Sequence, residues 1–116
     1  MNQLAALILS LSIEVPCVWA LCRLLGWVKA ERTRGLVVCA FAATLLTHPF
    51  AWHGNEAMAG HLGFPVRATI VETAVILVEG MLYTRVLSLD WMKGLSLAVA
   101  ANVTSFGLGL IYFMFR

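Results

Sequence analysis

Four long apolar stretches joined by short polar connections leave this chain few ways to fold. They run from about Leu4 to Trp27, Gly35 to Trp52, Arg67 to Leu87 and Gly94 to Phe115. Crossing the hydrocarbon core of a bilayer takes about 20 helical residues, so each stretch reads as a span, the second only barely. Composition agrees: 61% of the 116 residues are hydrophobic and 12% are charged, against about half and a quarter in an ordinary soluble domain. The expectation is an all-α, polytopic membrane protein with four transmembrane helices, about 4–27, 35–52, 67–87 and 94–115. They fill one domain over residues 1–116 and leave no room for an appended soluble module.

Basic residues set the orientation of such a chain. Arg23, Lys29, Arg32, Arg34, Arg85 and Lys93 flank the first and third connections, whereas Arg67 and Arg116 are the only ones on the other side. This asymmetry predicts cytoplasmic first and third connections, with both termini and a loop from His53 to Pro65 outside. Trp27 and Trp91 then fall at the inner interface and Trp52 at the outer one, as an aromatic belt requires. The N-terminus lacks a basic region and a small-residue cleavage site, so its apolar stretch reads as a retained span. The localisation expected from these features is the bacterial inner membrane, with the lipid bilayer as the first partner. A formal charge of +2, with no basic run interleaved with aromatics, argues against nucleic acid as a partner. Cys17, Cys22 and Cys39 lack a zinc-type spacing and read as reduced, buried hydrophobes.

Local signals mark where the spans bend and end. Pro16 removes a backbone donor and crowds the carbonyl four residues back, which predicts a kink beside Glu14. Pro49 predicts a kink or a stop in the second span, and Gly54, Gly60, Gly63 and Pro65 mark a turn-rich loop, with room for a short interfacial helix over 55–62. Asp90 is placed to cap the fourth helix.

The chemistry lies in polar groups inside these apolar stretches. Glu72 and Glu79 are seven residues apart, close to two helical turns, so they project from one face. Counting about 1.5 Å per residue puts Glu14, Glu79, Asn102 and Ser105 near the midplane. His48 and Glu72 fall in a shallower, outward layer. On the fourth stretch, Ala98, Asn102, Ser105 and Gly109 form a small, partly polar stripe, and Ala101 and Ser105 make a small-xxx-small pair. Such residues let membrane helices approach and bond across the contact. The stripe is expected to pack against the Glu72/Glu79 face, with Asn102 donating to a midplane carboxylate, Tyr83 as a further donor, and His48 pairing with Glu72. No Lys or Arg lies at the deep level, so its acids are expected to hold a proton or a cation.

Parts of the chain resemble known membrane families. LSIEVP, containing Glu14, resembles the first helix of the small multidrug resistance transporters, and ANVTSFGLG resembles an asparagine-bearing helix of dual-topology fluoride channels. The glycine-rich segment of the former has no counterpart here, and the latter lack the Glu72/Glu79 pair, so no functional residue carries over from either. A likeness over most of the chain is to small bacterial four-helix integral membrane proteins of no established activity. It rests on IEVP (Ile13–Pro16), LTHP (Leu46–Pro49), Glu72/Glu79 and Asn102/Ser105.

Three functions remain open. Ionisable groups inside a membrane are by default a functional site, which implies a proton- or cation-coupled transporter or ion-binding protein using Glu14, Glu72, Glu79, His48 and Asn102. Alternatively, the polar groups are interhelical contacts in a structural or accessory subunit of a larger complex, with Pro16, Ala101, Ser105 and Gly109 shaping the helix packing. A third reading is a membrane-embedded enzyme in which His48 and Glu72 hold a divalent metal that activates water, although no compact metal-binding motif is present. No cofactor can be named. Four short helices are expected to enclose little space, which points to a homo-oligomer or a membrane complex.

Overall fold

A computed structural model describes residues 2–115; Arg116, counted above on the outer side, lies outside the described residues. The chain forms four long helices: α1 (Gln3–Leu25), α2 (Thr33–Met58), α3 (Phe64–Val86) and α4 (Trp91–Phe115), with a single 3-10 turn at Ala30–Arg32 leading into α2. α1, α2 and α4, with that turn included in α2, are long and apolar enough to cross a membrane. α3 has the length, 23 residues, but Arg67, Glu72, Glu79 and Arg85 give it more charged side chains than any of the others. The long dimension of the bundle, 45 Å, exceeds the roughly 30 Å of a hydrocarbon core.

The ends of the helices follow from local chemistry. Asn2 Oδ1 accepts from the Ala5 amide at 2.8 Å and caps α1. Gly26, at φ +67°, ends it in the left-handed conformation that glycine adopts without strain. Asp90 Oδ1 accepts from the Lys93 amide at 2.8 Å, the cap expected from its position. α2 departs from the expected boundaries. It runs without a break through Pro49 to Met58, so residues 53–58 are helical and the connection to α3 shrinks to 59–63. Proline sacrifices one hydrogen bond, but each further residue left in the helix satisfies its own backbone, which matters most where water is scarce. α1 likewise continues through Pro16, which is exposed.

The helices form a ring in which α1 packs on α2 and α4, and α3 packs on α2 and α4. The tightest crossing joins α3 to α4. A Cβ at Gly94 would collide with the Thr84 hydroxyl and lie 2.8 Å from the Gly80 carbonyl oxygen, and one at Gly80 would lie 3.2 Å from the Leu95 Cα. At the same end, Arg32 braces the two short connections: its guanidinium donates to the carbonyls of Leu87 (3.3 Å) and Val86 (3.5 Å). Lys93 lies over the ring of Trp27 at 5.8 Å. The basic connections thus share one end of the bundle. Around them sits the core of Val18, Cys22, Leu36, Ala40, Ala43, Tyr83, Leu97, Ala98 and Ala101. The three cysteines are free, two of them buried.

Candidate functional site

Every described residue that is buried falls within 14–28, 36–47, 79–87 or 94–102, the half of the bundle nearest the basic connections. Beyond that level the helices part around a half-open cavity of about 610 Å³ lined by all four. A single copy of this short chain therefore shapes a sizeable space, although it does not close it off. The space arises where the small residues of the packed half give way to the diverging outer turns. Gly107 and Gly109 on α4 illustrate the change, because a Cβ on either would meet nothing within 4 Å. Gly109 thus lines the cavity wall and makes no close helix contact.

The floor of the cavity carries the deep polar groups. Glu14 on α1 and Glu79 on α3 are 4% and 1% exposed, and neither meets a basic side chain among the described residues. α2 lies between them and serves both. The Thr44 hydroxyl donates to Glu14 Oε2 at 3.2 Å, and the Thr47 hydroxyl approaches Glu79 Oε2 at 2.8 Å. From α4, the Asn102 amide donates to Glu79 Oε1 at 2.6 Å and to the Ala98 carbonyl at 2.9 Å. Of the two acids, Glu79 has both oxygens engaged, whereas Glu14 Oε1 accepts no hydrogen bond among the described residues. The donors are all neutral, so they orient the carboxyls without supplying compensating charge. Such a pair is suited to holding a proton or a cation.

One helical turn further out, Ser10, His48 and Ser105 line the next level, and Glu72 lines the wall two turns above Glu79. Ser105 faces Ser10 at 3.5 Å, joining α4 to α1 and leaving Glu72 on another wall. His48 and Glu72 share the cavity but form no hydrogen bond or ion pair with each other among the described residues, so the expected pairing is not made. The His48 ring leans toward Trp52, 6.2 Å between centroids, and its Nε2 is buried without a partner. Among the described residues there is no group of three or more His, Cys, Asp or Glu side chains arranged to hold a metal ion.

The rim is aromatic and tied by one cation. Arg67 at the start of α3 donates to Asn55 Oδ1 (3.0 Å) and to the Leu62 carbonyl (3.2 Å), which ties the end of α2 to α3. Its guanidinium lies 5.4 Å from the Phe64 ring, which in turn stacks on Phe106 of α4 at 6.3 Å.

The sequence pattern points to Glu14, Glu72, Glu79, His48, Asn102 and Ser105, and all of them line this one cavity. Ala101 packs in the core below it. Tyr83 lies beneath the floor, within electrostatic reach of both deep acids, but its hydroxyl has no hydrogen-bond partner and does not serve as the expected donor. Thr44 and Thr47 are visible in the sequence as polar groups on α2 but not as the partners of the acids. Their spacing, which puts them on the face that also carries His48, is the signal that links them. Ser10 and Arg67 are cavity residues that the sequence pattern does not single out. In comparisons with protein-family models, curated proteins and solved structures, the chain matches none.

Proposed function

We propose that this chain is a bacterial inner-membrane protein of four spans whose Glu14 and Glu79 bind a proton or another cation, as the exchange site of a small coupled transporter. The observation that carries this reading is the floor of the cavity: two carboxylates on opposing helices, almost wholly buried, oriented by neutral donors, beneath a space of about 610 Å³. Carboxylates are costly inside a membrane and are kept where an ion or proton uses them. With the basic connections in the cytoplasm, the cavity faces outward and the packed half closes the cytoplasmic side. In this arrangement α3 is the fourth span, its charges turned to the cavity and the turns at either end.

The test is flux in proteoliposomes. The wild type moves protons or a monovalent cation, Glu14→Gln and Glu79→Gln abolish that movement, and Glu72→Gln, two turns out from Glu79, reduces it. Wild-type vesicles silent to protons, sodium, potassium and organic amines overturn the reading.

A second reading draws on a specific observation. Thr44–Glu14, Thr47–Glu79 and Asn102–Glu79 join α1 to α2, α2 to α3 and α3 to α4, so the same groups form a polar clasp around the ring. If that clasp is their whole purpose, the protein is a structural subunit. Glu79→Gln then lowers stability in detergent, and the wild type shows no flux.

A further inference from the structure

Resting on the reading that Glu14 and Glu79 bind a cation, we infer that the cation is a protonated organic amine carrying an apolar body, bound whole in the cavity. The space available is the first reason. A bare ion needs only a first shell of oxygens, whereas about 610 Å³ falls within the roughly 300–1,000 Å³ typical of small-molecule sites.

The lining is the second reason. Between the polar floor and the rim, the walls are built from Leu9, Val71, Val75, Phe106 and Leu110. These side chains give a hydrated inorganic ion nothing to bond to, but they bury the hydrocarbon of a larger ligand, and Phe106 and Trp52 add aromatic area to the walls. Floor and walls together are an apolar pocket with a few convergent polar groups, the usual form of a small-molecule site.

The open valences are the third reason. Glu14 Oε1 accepts no hydrogen bond among the described residues although Glu14 is 4% exposed, and Glu79 keeps lone pairs beyond its bonds to Thr47 and Asn102. An ammonium group has three N–H donors. Seated on the floor, it donates to Glu14 Oε1 and to a remaining lone pair of Glu79. A divalent metal is less well served, because no group of three candidate ligands exists among the described residues. Arg67 does not oppose the charge at the floor: it sits at the far rim, held by Asn55, Leu62 and Phe64.

The probe is 2-phenylethylammonium, titrated into the purified full chain in detergent and followed by fluorescence, since Trp52 lines the cavity. Ammonium, sodium, zinc and the neutral 2-phenylethanol serve as comparisons. The amine is expected to bind at least about tenfold more tightly than any of them, with the signal lost in Trp52→Phe. Glu14→Gln removes binding. Val75→Trp, which fills the cavity but leaves the acids in place, excludes the amine while proton flux persists. Circular dichroism checks that each variant is folded, and a misfolded Glu14→Gln leaves the decision to Val75→Trp. The inference is overturned if ammonium, sodium or zinc binds as tightly as the amine, if the neutral alcohol does, or if Val75→Trp binds the amine unchanged. Proton flux that depends on Glu14 and Glu79, with no amine binding, overturns this inference and leaves the reading beneath it standing. Loss of both sinks both.

Discussion

The two halves of this bundle are made from the same four helices and do opposite things with them. Toward the basic connections, Ala40, Ala43, Gly80, Gly94, Ala98 and Ala101 bring the backbones together and the interior closes. Toward the α2–α3 turn, no described residue is fully buried, and the same helices part around a cavity. The boundary between the halves is the layer of Glu14, Thr44, Thr47, Glu79 and Asn102. Closing one half with small residues lets the other stay open without the bundle falling apart. The costly acids sit where the two meet, buried at the floor of the cavity with the packed half beneath them.

Variants can break or sharpen this contrast, and the largest effect belongs to the packed half. Gly94→Leu drives a side chain into Thr84 and the Gly80 backbone, and overpacking of this kind costs about 3 kcal/mol. Thermal unfolding in detergent, read by circular dichroism, shows a large drop or no folded protein at all. The matched change in the open half, Gly109→Leu, meets nothing within 4 Å and leaves the transition where it was; an equal loss from both would erase the distinction between the halves. Next in size is the boundary layer. Asn102→Leu removes a 2.6 Å bond to Glu79, worth about 1–2 kcal/mol between membrane helices, and the midpoint falls by a few degrees.

Two smaller effects locate the boundary more finely. Ser105→Ala loses only a 3.5 Å contact to Ser10, and the expected change is under about 0.5 kcal/mol. Tyr83→Phe deletes a hydroxyl that is buried without a partner. Removing an unpaired polar group from an apolar site is neutral or stabilising, so the variant unfolds at the same temperature as the wild type or above it. A clear loss of stability would mean that the hydroxyl has an acceptor after all, most simply Glu79.

Much of this architecture is legible in the sequence. Hydropathy locates four helices, and helical spacing collects Glu14, His48, Glu72, Glu79, Asn102 and Ser105 on the faces that meet. Both rest on periodicities that the backbone enforces. The reach of α2 past Pro49 is not legible. Proline and glycine mark breaks in water, where a loop finds other hydrogen-bond partners, but they are weaker signals in an apolar setting. Nor is the α3–α4 crossing at Gly80 and Gly94 apparent, since a glycine in a helix looks the same whether it faces a neighbour or open space. Gly109 shows the converse: it belongs to a small-residue stripe that reads as packing, yet it faces the cavity. The pairing of Thr44 and Thr47 with the acids depends on the order of helices around the ring, which local pattern does not encode.

Arg32 has a mechanical consequence. By bonding the carbonyls of Val86 and Leu87 from the connection between α1 and α2, it fastens the two helical hairpins to each other at the end opposite the 59–63 turn, where Arg67 already holds α2 to α3. The hairpins are therefore stapled at both ends, and the layer of acids lies between the two fastenings, in a frame that resists splaying.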